Sequence, residues 1–446
     1  MGTQGLKMKM TNTRLIAVSF VIVILVGTLL LCTPFASATG EWTSLVDALF
    51  TATTSTCVTG LVVVDTATHW SFFGQVVILV LIQIGGIGFM SLITLFSFFV
   101  RHQVSLHERR LLLQSTGALH MSSVMASFRH LLLGTFLIEG IGAVILAARF
   151  CPIYGENGVW YAIFHSVSAF CNAGIDLIGT ADMPSLMGYA NDPLVTGTVM
   201  LLIVMGGLGF LVWHDLLKSR FRFRKMELHT KLVLTFTGAL ILSGALLFYL
   251  MERKASMADM GEGQKLWNAL FQSVTTRTAG FVTFDQASLS DSGSLVSMLL
   301  MFIGGSPGST AGGVKTTTLL VFLLCSWNLA HNRESVTVFR RRIDNRIVRQ
   351  AGAVICFYML MILAATVLIC AIEPFGLREV SYEVTSAMAT VGLSMGMTSS
   401  LTVISKLILI VLMYAGRLGG LSLFLALSEA EEQAPIKRPV EKILIG

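Results

Sequence analysis

The sequence predicts an all-α membrane protein built from four repeats, each a helix, a short re-entrant loop and a second helix. Three observations lead there. Of 446 residues, 54% are hydrophobic and only 13% are charged, whereas a soluble domain carries about 25% charged residues. Several stretches, among them 15–31, 131–148, 232–250 and 351–372, are nearly free of charge and reach the roughly 20 residues that cross a ~30 Å hydrocarbon core. Two small-residue marks also recur four times in register.

The first helix is expected at 14–33. Lys7, Lys9 and Arg14 precede it, and Ala36-Ser37-Ala38 has the form of a signal-peptidase site. A cleaved signal has an apolar core of only about 7–15 residues, and the run here is longer, so the segment is read as a permanent helix. The seven cysteines are odd in number and lie mostly in apolar runs. They show neither disulfide nor metal-binding spacing and are read as small apolar packers.

The charges sort by side. Lys7, Lys9 and Arg14, then Arg101, Arg109, Arg110 and Arg129, then 218–231, then Arg333, Arg340, Arg341, Arg342, Arg346 and Arg349 fall on one set of connections. The alternate set is acidic, with Glu41, Asp47, Asp65, Glu156, Asp176, Asp182, Asp259, Glu262, Asp285, Asp291 and Glu373. Lys/Arg excess marks the cytoplasmic side, so both termini are expected inside. The net charge of +6 then reports topology and gives no reason to expect nucleic acid. Segments 101–130, 218–231 and 331–349 either anchor topology alone or also dock a cytosolic partner.

The first mark is an amphipathic stretch, a small polar cluster and a glycine. Trp42–Phe50 leads to Cys57-Val58-Thr59-Gly60-Leu61, and Trp160–Ser168 to Cys171-Asn172-Ala173-Gly174-Ile175. Leu266–Val274 leads to Arg277-Thr278-Ala279-Gly280-Phe281, and Tyr382–Met388 to Ala389-Thr390-Val391-Gly392-Leu393. The second mark lies in the apolar helix that follows: Ile84-Gly85-Gly86-Ile87-Gly88, Met205-Gly206-Gly207-Leu208-Gly209, Ile303-Gly304-Gly305 and Ala415-Gly416-Arg417-Leu418-Gly419.

These marks divide the chain. Repeat 1 is 1–100, with helices 14–33 and 71–100 around a pore helix and filter at 42–62. Repeat 2 is 101–220, with helices 129–150 and 194–217 around 160–176. Repeat 3 is 221–345, with helix 230–251, filter 266–282 and a broken helix 292–330. Repeat 4 is 346–428, with helices 350–372 and 403–427 around 381–394, and 429–446 is a cytoplasmic tail. Eight crossings and four re-entrant segments result. The pre-glycine stretches, about 13 residues and ~20 Å long as helix, stop partway and return as extended backbone. Such backbone is tolerated at membrane depth only where protein buries it or water lines it. The expected architecture is a pseudo-fourfold arrangement of the repeats around one ion pore.

A dehydrated cation needs oxygens in place of its hydration shell, and backbone carbonyls on extended loops supply them. Glycine permits the backbone conformations required, and the short helices aim their partially negative ends at the same place. The candidate ligands are Cys57, Val58, Thr59 and Gly60; Asn172, Ala173 and Gly174; Thr278, Ala279 and Gly280; and Thr390, Val391 and Gly392. Thr390-Val391-Gly392 is the first half of a potassium-channel filter sequence. No Asp or Glu ring accompanies these loops, against filters built from carboxylates, and no helix carries arginine at every third position, against voltage sensing. Cys57 and Cys171 are read as packing behind the carbonyls. Arg277 would repel a cation if it pointed inward, so it is expected to face away and brace its loop. Asn172 either does the same or bonds the neighbouring filter strand.

Repeat 3 is irregular. Its second apolar segment runs about 39 residues, ~58 Å as one helix, and its middle reads Gly304-Gly305-Ser306-Pro307-Gly308-Ser309-Thr310-Ala311-Gly312-Gly313. That composition breaks a helix, here inside the membrane below the filter. Arg417 replaces a glycine of the second mark, at a position read as mid-helix. A charge there is costly and functional by default, and the freed carbonyls of 304–313 are its expected partners. Lys315 either tunes this barrier or faces the cytoplasmic vestibule.

These motifs resemble the Trk/Ktr/HKT superfamily of potassium transporters, most closely the KtrB-type membrane subunit, over essentially the whole chain. Thr-Cys-Val-Thr-Gly-Leu, Asn-Ala-Gly, Arg-Thr-Ala-Gly-Phe and Thr-Val-Gly-Leu look like that family's four filters, and the loop 304–313 like its intramembrane gating loop. Cys57, where Thr is expected, and Cys171 depart from the pattern. The resemblance implies K+ uptake through a filter holding K+, a gate formed by the loop with Lys315 and Arg417, a homodimer in the bacterial cell membrane, and a cytosolic KtrA/TrkA-like ring that carries the nucleotide. Gly60 goes with the potassium-selective members, and serine there with sodium preference in the plant branch. A sodium-conducting or weakly selective relative is the alternative.

No Walker motif or Rossmann fingerprint is present, so no cofactor is expected in this chain. An enzyme is not supported: no His/Asp/Ser constellation converges, and His165 and His214 stand alone. A secondary transporter would show inverted repeats, whereas each repeat here begins and ends inside. The tail is expected to reach either a dimer neighbour or the ring.

Overall fold

The computed structural model describes residues 12–88, 124–179, 183–332, 337–339 and 341–419. Lys7, Lys9, Arg101, Arg109, Arg110, Asp182, Arg333 and Arg340, and the expected segments 89–100 and 420–446, lie outside them.

Each repeat opens with a long apolar helix: Asn12–Cys32, Val124–Tyr154, Leu228–Glu252 and Asn345–Ile372. At 1.5 Å per residue these run roughly 32–46 Å, enough to cross. Their outward side chains are apolar and exposed, among them Leu29, Val144, Leu242 and Val367. The interior, by contrast, holds hydroxyls, with Thr54, Ser166, Ser168, Thr275 and Ser386 all buried. A water-soluble fold distributes them the other way round. This chain is a multi-pass membrane protein whose outer solvent is hydrocarbon.

The short helices follow: Leu45–Thr56, Asn157–Cys171, Glu262–Thr275 and Leu377–Ala389. With 12 to 15 residues they are too short to cross a ~30 Å core. Their last turns are wholly buried.

Each trailing helix is fastened to the end of its leading helix. Ser71 donates to Phe35 O at 2.6 Å, and Arg149 pairs with Asp192 at 2.5 Å. Glu252 accepts from Ser290 Oγ at 2.5 Å, and Glu373 from Thr402 Oγ1 at 2.6 Å. Ser71, Asp192 and Ser290 also cap the new helix by accepting from its first N–H groups.

The trailing helices depart from expectation. Only the third was expected to break, yet the helix expected over 194–217 is two, Pro193–Leu208 and Phe210–Ser219, bent by 92°. The hinge is Gly209, at φ 91° and ψ 146°. The first trailing helix, Phe72–Ile87, ends at Gly88 with φ 88° and ψ 132°; the fourth, Val403–Leu418, ends at Gly419 with φ 80° and ψ 136°. A residue with a β-carbon is excluded from that region, so the last glycine of the second mark is a breaker in all three. Among the described residues, four helices are long and apolar enough to cross alone, and a fifth span forms if the bent pair counts as one. The third trailing segment is Asp291–Phe302, a loop, then Thr316–Ala330.

The first glycine of the mark allows close approach. A β-carbon on Gly85 would strike Thr56 O, one on Gly206 would strike Phe170 O, and one on Gly416 would strike Met388 O. These carbonyls belong to the residues four before Gly60, Gly174 and Gly392, so in repeats 1, 2 and 4 the trailing helix lies directly on the end of its own short helix.

Candidate ion pathway

Where each short helix ends, the chain turns up through a three-residue step that repeats four times. Val58 and Gly60 have φ 56° and 99°; Asn172 and Gly174, 61° and 64°; Thr278 and Gly280, 66° and 84°; Thr390 and Gly392, 52° and 90°. Alternating the sign of φ turns successive carbonyls onto the same side of the strand instead of opposite sides. For β-branched Val58, Thr278 and Thr390 the left-handed region costs about 1–3 kcal/mol each, and the surroundings must enforce it.

The backbone of the short helices does so. Thr59 N–H donates to Thr54 O at 2.8 Å, Ala173 N–H to Ser168 O at 2.7 Å, Ala279 N–H to Thr275 O at 2.9 Å and Val391 N–H to Ser386 O at 2.9 Å. The hydroxyls of the same four residues hold the strand from behind. Gly60 N–H donates to Thr54 Oγ1 and Gly392 N–H to Ser386 Oγ, both at 3.0 Å. Ser168 Oγ donates to Ile175 O at 2.7 Å, and Thr275 Oγ1 to Phe281 O at 2.6 Å. The sequence reading passed over these hydroxyls. Their signal was there: a Ser or Thr six residues before the glycine in repeats 1, 2 and 4, and five before it in repeat 3.

The four glycines form a closed ring. The missing side-chain position of Gly60 is filled by Ala173 O, 2.5 Å from where a β-carbon would stand. That of Gly174 is filled by Ala279 O, that of Gly280 by Val391 O, and that of Gly392 by Thr59 O. Each repeat thus touches the next, and the fourth touches the first, around one axis. Any side chain at these positions would strike a neighbouring peptide, which is why all four are glycine.

Among the described residues, none donates a hydrogen bond to the carbonyls of 58–60, 172–174, 278–280 or 390–392. Buried carbonyls are otherwise almost always paired, and each left alone costs about 1–3 kcal/mol. Twelve such oxygens in one ring form a site whose natural partner is a cation or its water.

Arg277 is buried and turns away from the ring, donating to Thr237 O at 3.3 Å and Thr237 Oγ1 at 3.4 Å. Asn172 reaches the neighbouring loop, its Nδ2 lying 3.4 Å from both Arg277 O and Thr278 Oγ1. Cys57 and Cys171 are fully buried, and the Cys171 thiol contacts Gln83 and Glu139 at 3.7 and 3.8 Å. His165 is also buried, paired with Tyr161 O at 2.7 Å.

Below the ring, the loop between Phe302 and Thr316 closes on itself through Gly304 N–H to Val314 O at 3.0 Å and Thr316 N–H to Gly305 O at 3.0 Å. It docks on the hinge of repeat 2: Ser306 N–H donates to Gly207 O at 3.0 Å, and Phe210 N–H to Gly308 O at 2.9 Å. Gly312 lies against Thr390, where a β-carbon would strike Oγ1, and Gly313 against Ala389 O. Lys315 folds onto the loop, Nζ donating to Ala311 O at 2.6 Å. Arg417 donates to Thr310 O in the loop and also to Gly85 O in repeat 1. Its expected mid-helix position is corrected: the helix ends one residue later, because Gly419 breaks it, and Arg417 lies at the partially negative end, where a cation is favoured.

Comparison with known proteins agrees with this architecture. Residues 4–438 match the family described as TrkH, cation transport protein. The chain is 40% identical over 448 residues to the potassium/sodium uptake protein NtpJ of Enterococcus hirae, covering 98% of each. It is 36% identical over 441 residues to the Ktr system potassium uptake protein B of Bacillus subtilis, covering 98% of this chain and 97% of that one. The crystal structure of the potassium transporter TrkH from Vibrio parahaemolyticus shares the fold with a TM-score of 0.72 at 18% identity, over 96% of this chain and 87% of that one. Matched by the family over 4–438 and by these relatives over nearly their full length, the chain belongs to the TrkH family of cation transport proteins.

Proposed function

We propose that this chain is the pore-forming subunit of a K+ uptake system in the bacterial cell membrane. The observation that carries the reading is the ring of twelve undonated peptide oxygens around Gly60, Gly174, Gly280 and Gly392. They substitute for water around a monovalent cation, and the Enterococcus and Bacillus relatives are both named for potassium uptake. The loop 304–313, Lys315 and Arg417 form the gate beneath, because they lie across the path directly under repeat 4 of the filter.

Both termini are cytoplasmic, supported by the Lys/Arg bias of the connections. The exposed turn carrying Arg220, Arg222, Arg224 and Lys225, with the basic segments around it, docks a KtrA/TrkA-like nucleotide-binding ring on a homodimer of this chain. The word "system" in the Bacillus relative's name supports a second component. No nucleotide or other cofactor is bound by this chain itself. The Enterococcus relative's name includes sodium as well, which favours a second reading, a weakly selective cation path. Growth rescue of a potassium-uptake-deficient bacterium at low K+, with and without a co-expressed ring subunit, decides between them. Rescue lost when Na+ is added in excess supports the weakly selective path, and absence of rescue in every arm overturns both.

A further inference from the structure

The hydroxyls behind the filter are not used alike. Thr54 and Ser386 accept from their own glycine N–H, whereas Ser168 and Thr275 donate to the carbonyl just after the glycine, on Ile175 and Phe281. All four hydroxyl residues are buried. The counterparts of the two held carbonyls, those of Leu61 and Leu393, accept no hydrogen bond from any described residue. In the ring order 60, 174, 280, 392 the two held carbonyls are neighbours, and so are the two free ones.

A hydroxyl approaching from the short helix occupies a lone pair on the carbonyl and fixes that oxygen toward the back of the loop. Taking the ring as a cation filter, on which this step rests, we infer that its outermost cation position is lopsided. Leu61 and Leu393 supply the peptide oxygens there, water completes the shell on the side of repeats 2 and 3, and Ser168 and Thr275 are positioning residues that keep two further oxygens out. Because the number of carbonyl dipoles around an ion bears on K+/Na+ discrimination, these hydroxyls help set selectivity without touching the ion.

Two measurements on the full chain test this. The first is a structure in Tl+, a heavy stand-in for K+. The outermost ion is expected closer to Leu61 O and Leu393 O than to Ile175 O and Phe281 O; an ion equidistant from all four overturns the inference. Absence of any ion within the ring overturns the filter reading itself, so the two failures are distinct. The second is uptake of K+ in competition with Na+ for Thr275→Val and Ser168→Ala. Each is expected to change the K+/Na+ preference several-fold, while Thr275→Ser, which keeps the hydroxyl, retains it. An unchanged preference in both variants also overturns the inference. If either variant fails to reach the membrane, the ion position in the wild-type chain decides alone.

Discussion

Arg417, near the end of the last described helix, donates to the carbonyl of Gly85, more than three hundred residues earlier in the chain. The same guanidinium holds Thr310 O in the loop under the glycine ring. One side chain of repeat 4 therefore ties repeat 3 to repeat 1, while the loop's other side is docked on Gly207 and Gly308 bonds Phe210 in repeat 2.

Replacing Arg417 with Gln releases that tie. Hydrogen bonds to a charged group are worth about 1.5–3 kcal/mol each, and losing two shifts the loop toward its undocked arrangement. Uptake at saturating K+ is expected to rise several-fold, as it is when 305–312 are replaced by a short linker. Initial-rate measurements with Rb+ check this; rates at or below wild type for both variants count against a gate.

Gly60→Ser places a β-carbon 2.5 Å from Ala173 O on a backbone at φ 99°. The conformation alone costs about 1–3 kcal/mol, and the clash forces the ring open on one side. K+ uptake at low external K+ is expected to fall at least tenfold, with stronger competition from Na+. Gly263→Ala, where the added carbon meets nothing within 4 Å, serves as the control. Equal behaviour of the two variants contradicts the ring geometry.

Gly209→Ala strains the hinge of repeat 2, since φ is 91° and a β-carbon would lie 2.7 Å from Pro307 O in the docked loop. Straightening the helix removes the surface on which the loop rests. Lower thermal stability together with a raised basal leak is the expected pair of effects. A stability loss with an unaltered leak shows that the hinge does not support the loop.

Glu252→Gln weakens the fastening between the leading and trailing helices of repeat 3. Glu252 is fully buried and accepts from Ser290 Oγ at 2.5 Å and Ser256 Oγ at 2.7 Å. A loss of about 1.5–3 kcal/mol is expected, read as a lower melting temperature in detergent, with K+/Na+ preference as in the wild type. A shifted preference places this contact closer to the ion path than its position suggests.

The four recurring glycines were legible because sterics left no other choice. Four abutting peptides admit only glycine at 60, 174, 280 and 392, and a demand that strict repeats visibly in sequence. Arg417 was legible in part: a charge inside an apolar helix must find carbonyls, and the broken segment 304–313 offered them through Thr310 O, whereas its second partner, Gly85 O in repeat 1, had no signal in the sequence. The breaks at Gly88, Gly209 and Gly419 were not legible. Gly85 and Gly206 in the same marks serve packing within an intact helix, and nothing local separates a packing glycine from a hinge when no proline accompanies it. The two uses of Thr54 and Ser168 were hidden as well. A hydroxyl both donates and accepts, and only the path of the strand in front of it decides which it does.

The ring closes within one polypeptide, from Thr59 beside Gly392 round to Gly60 beside Ala173. In the proposed pore a single codon change thus alters one quarter of the aperture, where the same change in a tetramer of identical subunits would alter all of it at once. Cells that co-express mutant and normal copies will hold two discrete kinds of conduit rather than a graded series of hybrids. Each quarter carries its own residue at the same step, Cys57, Cys171, Arg277 and Ala389, which four identical subunits could not do.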